Sequence, residues 1–582
     1  MRYVETQRWR YLCRAGLTGT TADDVLKYVG HTLDKHKGCD ILDINPGAGL
    51  WSQKLHEHLQ PRSHVLLEQR HEKFHDFLDP LLHAPGSKYS LVAKDPTVLD
   101  TYRDLVAEGA FPHQTPLDAQ DPRAQEPNNT LLVTGSLVWD PRLPGMGFDS
   151  MAKQLFHHFT TAAWTNDLFH KFGLVRTLLW VQSEDFNSCI AESISTMLKT
   201  TRFLEMSHKV DVLVGGVRTP RKLGKGSIGR EPQYEIESMV HAMRKGREHG
   251  MVLPPHRRDT IHDFAEDVER ISNGTGIMST TAIHKYLHEQ QLAGKTTTGL
   301  LQESTIAHYE SEKAISEQYP DIKHRREADG TIPLKTQLVG HPARAEFTKF
   351  FKTASGQIAS QKVKVHIESV ADTGEQIYNL ECKILRMPDG PEKDACMTEL
   401  AALDASWEKG MANMQSNYWK APLSEVDDRL AIRSPPYPRI QWDARSFEPL
   451  IMRASEVWPS NRLSLISASP LPKPSSASPD WYEWVQDFVF GLYSQPSDSI
   501  DAALDKMQHG LSSIMDECPS LRDVDKGGRL QMRHLRVRML TVEMIGELVE
   551  SYRAWPFKAP GSDHNKFFRH KGASTMYGGG WK

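Results

Sequence analysis

The run Cys39-Asp40-Ile41-Leu42-Asp43-Ile44-Asn45-Pro46-Gly47-Ala48-Gly49-Leu50-Trp51 decides the fold. Cys39 to Ile44 predicts a short buried strand that carries a carboxylate, Asp43, near its end. Asn45 to Gly49 is a tight turn, and Leu50 to Leu59 predicts a helix. A strand, a glycine-bearing turn and a helix N-terminus bring bare backbone close to a ligand. A single G-x-G is also what an ordinary strand-to-helix turn looks like, so the weight falls on the next three strands.

His64 to Glu68 (HVLLE) predicts a second apolar strand ending in an acid, of the kind that accepts hydrogen bonds from a ribose in doubly wound sheets. Tyr89 to Ala93, followed by Lys94-Asp95, predicts a third. Leu131 to Ser136 (LLVTGS) predicts a fourth, ending in a small polar turn. Asp43, Glu68, Asp95 and Ser136 are then expected along one crevice at the carboxyl edge of the sheet, where open α/β sheets bind ligands. A dinucleotide site wants G-x-G-x-x-G, and the third glycine position here is Ser52. D-x-x-P-G-x-G, followed by the acids of the second and third strands, resembles instead the S-adenosylmethionine site of Class I methyltransferases.

A chain of 582 residues suggests roughly two to four domains. The net charge of −4 means that any nucleic-acid surface must be local. Six cysteines (13, 39, 189, 382, 396 and 518) form no C-x-x-C pair and no Cys/His grouping of ligand spacing. That points to a reducing compartment and to no metal centre. No apolar run approaches the ~18 residues that span a bilayer, so no membrane insertion is expected. The first 20 residues hold Arg2, Arg8, Arg10 and Arg14 against Glu5 alone. This is the composition of a mitochondrial import signal or of a plain basic N-terminus.

Along the chain, a helix is expected from Thr20 to about Leu33, with Thr21 as N-cap and Asp24 at the capping-box position. Met151 to Phe172 predicts one long amphipathic helix, and Val175 to Val181 and Met206 to Val214 predict strands, continuing an α/β alternation. Arg218 to Arg230 (RTPRKLGKGSIGR) is either a solvated loop or a phosphate-contacting one, through Arg218, Arg221, Lys222, Lys225 and Arg230. Residues 218–438 read as a charged, mostly helical insertion, and His262 to Asn273 within it predicts a helix with a wet face. Ile440 to Leu450 and Arg462 to Ile466 resume β patterning, and the Pro/Ser-rich run from Pro470 to Pro479 predicts a linker. Trp481 to Tyr493, Ile500 to Met515 and Arg533 to Tyr552 predict helices of a small domain. The last stretch sets Lys558, Lys566, Arg569, His570 and Lys571 among Phe557, Phe567, Phe568, Tyr577 and Trp581. Cations among aromatics suit single-stranded nucleic acid, and they equally suit a tail anchored by its rings.

These pieces in this order resemble the rRNA adenine N(6)-dimethyltransferase superfamily, and within it the fungal-type mitochondrial transcription factor B family. The residues that carry the resemblance are Ile41 to Gly49 (ILDINPGAG), Leu66 to Arg70 (LLEQR), Lys94 to Pro96 (KDP), Phe172 to Trp180 (FGLVRTLLW), Glu456 to Pro459 (EVWP) and Trp555 to Lys558 (WPFK). It covers about 20–217 and 440–560 in outline and leaves 218–438 aside. It implies a Rossmann-like Class I S-adenosylmethionine-dependent methyltransferase fold at 20–217, completed by a final β segment at 439–475. A C-terminal helical domain follows at 478–556, with a basic segment at 1–19 and a basic, aromatic tail at 557–582.

By matching positions, Asn45, Gly47 and Gly49 would face the methionine end of the cofactor. Glu68 would take the ribose, Asp95 the adenine, and Ser136 the region beside the transferred methyl. Active dimethyltransferases carry N-L-P-Y at the end of the fourth strand, where the Asn and backbone accept from the target amine and the Tyr stacks on the flipped base. Here the stretch is Ser136-Leu137-Val138-Trp139. Trp139 can still stack, but Ser136 lacks the amide carbonyl and Val138 lacks the rigid ring of Pro. A cofactor-loop glycine is also replaced, by Asn45. Losing one catalytic hydrogen bond costs roughly 10²–10³ in rate. The expectation is therefore weak or absent methyl transfer, with Ser136 and Trp139 as a degenerate target-base site. The implied role is mitochondrial (matrix) transcription initiation, with the single-subunit mitochondrial RNA polymerase and melted promoter DNA as partners. Arg533, His534, Arg536, Arg538 and the tail residues Lys566, Arg569 and Lys571 would add to the nucleic-acid surface. The alternative is dimethylation of small-subunit rRNA.

Overall fold

The computed structural model describes residues 19–557, except 140, 187–188, 220–229, 321–323, 328–329, 334–343, 437, 458–459, 475–476 and 479. Residues 1–18 of the basic N-terminal segment (1–19), and Arg221, Lys222, Lys225, Lys566, Arg569 and Lys571, lie outside the described residues.

The chain opens with α1 (Gly19–Val29), β1 (Asp40–Ile44), α2 (Leu50–Leu59), β2 (Ser63–Leu67), α3 (His71–Leu82), β3 (Tyr89–Val92), α4 (Leu99–Ala107) and β4 (Pro127–Ser136). It continues through α5 (Met151–Thr165), β5 (Leu174–Gln182), the single turn α6 (Ser183–Phe186), α7 (Lys199–Ser207) and β6 (His208–Gly216). The helices α8 (Pro232–Glu248), α9 (Thr260–Ile271), α10 (Thr280–Leu292) and α11 (Glu303–Gln318) come next. A hairpin, β7 (His324–Glu327) and β8 (Gly330–Pro333), then leads to α12 (Arg344–Arg386), α13 (Pro391–Ala412) and α14 (Ala421–Arg433). Last come α15 (Gln441–Ala444), β9 (Leu450–Met452), β10 (Leu463–Pro470), α16 (Trp481–Leu492), α17 (Ile500–Met507) and α18 (Val542–Ala554).

Eight strands form one sheet in the order β3-β2-β1-β4-β5-β10-β6-β9. All neighbours are parallel except β10, which runs antiparallel to both β5 and β6. β1 is buried at every position, as a central parallel strand covered on both faces must be. Chain order reverses between β1 and β4, so the carboxyl ends of these strands open a crevice at the switch point. This is a Rossmann-like methyltransferase fold with a helical insertion and a C-terminal helical region.

The insertion lies between β6 and β10, which pair with each other across it. Helices α8 to α10 bury their own cluster of Ile236, Met239, Phe264, Val268, Ile283 and Leu287. Helix α12 has 43 residues, roughly 65 Å of rod. Its far half packs with α13, α14 and the C-terminal region in the same core as one face of the sheet, through Ile377, Tyr378, Trp407, Val426, Leu535 and Leu548. Arg257 clamps the insertion to α1: its guanidinium meets Asp24 at 2.7 Å, Glu456 at 2.5 Å and the Thr21 hydroxyl at 3.0 Å.

Several expected elements differ. Thr21 is not a cap: it lies inside α1, where Arg257 and Glu456 hold its hydroxyl. The helix expected to reach Phe172 stops at Thr165, because Asn166 adopts the left-handed conformation (φ 51°) and a 3₁₀ turn follows. The strand expected from Met206 begins at His208, after α7. Ile440 to Leu450 holds a short helical turn, Gln441–Ala444, followed by irregular chain, with strand only from Leu450. The helix from Ile500 ends at Met507, and Gly510 (φ 76°) turns the chain into a 3₁₀ segment. Of Arg533 to Tyr552, only the part from Val542 is α-helical, capped by the Thr541 hydroxyl.

Candidate functional site

The crevice at the carboxyl ends of β1 to β4 holds a cleft of about 170 Å³ lined by Asn45, Gly47, Glu68, Arg70, Asp95, Ser136 and Trp139, with Phe74, Thr97 and Leu143 at its sides. Sequence reasoning brought Asn45, Gly47, Glu68, Asp95, Ser136 and Trp139 to this edge, and the fold brings them together. It did not single out Arg70, Phe74, Thr97 or Leu143. The signal for Arg70 was its place two residues after Glu68.

Backbone geometry explains the cradle. Gly47 (φ 59°) turns its N–H toward Glu68 Oε2 at 3.3 Å, and the Arg70 N–H donates to Glu68 Oε1 at 3.0 Å. Burial pushes the Glu68 carboxyl above its ordinary value, and these two N–H groups pull against that. Asp95 Oδ1 accepts from the Thr97 N–H and hydroxyl at 2.9 and 2.8 Å, which holds the carboxylate at the strand end. Gly135 (φ 134°) is a residue that sequence reasoning passed over. A Cβ there would lie 2.1 Å from the Ile44 carbonyl oxygen, so only glycine lets β4 run this close to β1. Trp51 reaches from α2 to donate to the Thr134 hydroxyl at 3.0 Å, bracing α2 against β4.

Two expected members of the crevice sit elsewhere. Asp43 is fully buried beneath the loop, facing His64 at 3.4 Å, because strand alternation turns it away from the edge. Gly49 (φ 72°) starts α2 and does not line the cleft; a Cβ there would press on Leu78 at 3.2 Å.

The corner from Ser136 to Val138 is closed on itself. The Ser136 carbonyl accepts from Asn45 Nδ2 at 2.9 Å, the Ser136 hydroxyl accepts from the Val138 N–H at 3.3 Å, and the Leu137 N–H donates to the Trp180 carbonyl at 2.9 Å. Trp139 follows, half-buried against the main core. Its loop is tied down further on by Arg142 and Ser150, which both reach the buried Asp185 carboxylate. What the cleft presents is therefore two carboxylates, the amides of Asn45 and Gln69, one indole and one exposed guanidinium, Arg70. S-adenosylmethionine fits this donor and acceptor set: hydroxyls to Glu68, an amine to Asp95, and bare backbone at Gly47.

Among the described residues, the expected phosphate contacts are each paired with a carboxylate. Arg230 is 2% exposed and grips Asp443 at 2.7 and 2.6 Å. Arg218 meets Glu235 at 2.8 Å and Glu448 at 3.8 Å. Arg536 and Arg538 are buried together on Asp427, and His534 meets Asp404 at 3.1 Å. Arg533 is exposed but paired with Asp404 at 2.7 Å and Glu408 at 3.2 Å. A buried guanidinium needs a carboxylate, and the insertion and the β9-proximal segment supply them.

Among known proteins, residues 21–215 match the family model of ribosomal RNA adenine dimethylase. That span holds β1 to β6 and the whole cleft. A comparison with curated proteins finds no match.

Proposed function

We propose that this protein holds a nucleoside cofactor and an unpaired base on a methyltransferase-derived scaffold, and that it acts in mitochondrial transcription initiation rather than as an efficient methyltransferase. The observation that carries this reading is the Ser136–Trp139 corner. Its carbonyl and hydroxyl are taken up by Asn45 and by the Val138 N–H, and the next side chain is an indole. A corner satisfied in this way favours stacking a base over positioning an amine for attack. In the reading, the partners are the single-subunit mitochondrial RNA polymerase and the melted strand of promoter DNA, and the location is the matrix. With Arg218, Arg230 and Arg536 committed to carboxylates, the cleft and Trp139 carry the base contacts. Among the described residues no helix is long and apolar enough to cross a membrane.

When bound, S-adenosylmethionine supplies an electrophilic methyl group. Glu68 would hold the ribose hydroxyls and Asp95 the adenine amine, while Gly47 lets the backbone approach. Ser136 can donate its hydroxyl hydrogen toward the cleft, but it has no amide carbonyl to draw a target amine into line.

The second reading, dimethylation of small-subunit rRNA, is favoured by the intact cradle at Gly47, Glu68 and Asp95. One pair of assays separates the two. Run-off transcription with the cognate polymerase is expected to need the protein on duplex promoter and not on a premelted template. Methyl transfer to a small-subunit rRNA hairpin is expected to fall roughly 10²–10³ below that of a working dimethyltransferase. Robust transfer with no effect on run-off would reverse the order.

A further inference from the structure

Asn45 does more than replace a glycine in the cofactor loop. It is one of the few non-glycine residues in the left-handed conformation among the described residues (φ 50°), a region that Asn tolerates better than most residue types. Its N–H donates to the Leu67 carbonyl at 3.0 Å, and its Nδ2 donates to the Ser136 carbonyl at 2.9 Å. One residue thus ties the carboxyl ends of β1, β2 and β4. The amide orientation follows from chemistry: the reversed placement would set two carbonyl oxygens against each other. Asn45 Oδ1 is then held in a fixed direction, it takes no donor among the described residues, and it belongs to a residue lining the same cleft as Trp139.

A fixed amide oxygen in the same cleft as a stacking ring is an acceptor for an N–H lying in the plane of a stacked heterocycle. We propose that Asn45 is the specificity-determining residue of the base site, its Oδ1 accepting the exocyclic amine of an unpaired adenine stacked on Trp139. This inference rests on the base-capture reading above, and it adds a preference for amine-bearing bases that stacking alone does not supply, since every base has a π-face.

The test uses the full chain and two labelled oligothymidylates, one carrying a central adenine and the other a central purine nucleotide without the amine. Binding is read by fluorescence anisotropy. The unmodified protein is expected to prefer adenine by about three- to tenfold, the worth of one hydrogen bond. Asn45→Gly keeps the left-handed turn and is expected to erase the preference. Asn45→Asp keeps the turn but repels the Ser136 carbonyl, and is expected to lose the preference as well. Trp139→Ala should weaken both oligonucleotides alike. A preference that survives in Asn45→Gly overturns the proposal. Equal binding of both by the unmodified protein, with a Trp139→Ala loss, overturns it and leaves base capture standing. No binding of either, or no effect of Trp139→Ala, overturns base capture and this inference with it.

Discussion

The cleft at the carboxyl ends of β1 to β4 and the arginine seam that runs through the insertion to the segment before β9 and to the C-terminal region use the same kinds of group in opposite ways. In the cleft, Asp95 Oδ2 and Asn45 Oδ1 take no donor among the described residues, and Arg70 is exposed. In the seam, guanidinium after guanidinium meets a carboxylate. Arg230 holds Asp443, Arg433 holds Glu237 at 2.8 and 2.7 Å, Arg429 holds Asp372 and Glu375 at 2.7 Å each, and Arg536 and Arg538 share Asp427. The difference teaches that charge in a sequence marks a binding surface only where the fold leaves it unanswered.

The largest effect should come from breaking the seam. Asp427→Ala strands two buried guanidiniums and is expected to cost about 3–5 kcal/mol in denaturant unfolding, with the cleft untouched. Next, Gly135→Ala attacks the cleft through the backbone: its Cβ meets the Ile44 carbonyl, so a loss of about 2–4 kcal/mol is expected together with loss of S-adenosylmethionine binding in calorimetry. Glu68→Ala removes the proposed ribose acceptor and takes the carboxylate from the Gly47 and Arg70 N–H groups, and cofactor affinity should fall about tenfold to a hundredfold.

The seam also carries a pH signature. Burial first, with Glu231 and Asp428 adding to it, raises the Glu425 carboxyl to about 7 against the pull of Tyr234 and Arg429. Burial likewise raises Asp428 to about 6. Groups raised in this way stabilise the fold fully below their ordinary values, and that contribution is lost as pH climbs through about 7 and about 6. Asp427 is lowered despite its burial, through Arg536 and Arg538, so its contribution is lost as pH falls. Melting temperature should therefore drop between about pH 6 and pH 8 by the equivalent of about 1–3 kcal/mol, and Glu425→Gln should flatten that slope. The smallest effect is expected at Arg533. Its pairs with Asp404 and Glu408 are half in solvent, so Arg533→Ala should cost less than about 1 kcal/mol.

The cleft was legible because its parts are local. The Ile41–Gly49 turn, the acid after β2 and the acid after β3 are each short runs whose patterning predicts a strand end, and parallel strands place such ends on one edge. Two details escaped that reading for the same reason. Asp43 and Gly49 belong to the right run but face the wrong way, and side-chain direction depends on where the strand ends. The seam was not legible at all. Arg230 finds its partner 213 residues later, and Arg536 finds its own 109 residues earlier, so a window that saw only the cations read them as free.

From its amino acids alone this chain set its strand succession, its cofactor loop and the altered Ser136–Trp139 corner, since each depends on neighbours within a few residues. Only the folded molecule decided which arginines are spent inside, that Gly135 is needed for β4 to approach β1, and that Asn45 turns its amide across to Ser136. Those are contacts between distant segments, and burial gives them their energy: a charge or amide taken out of water must find its partner wherever packing brings one.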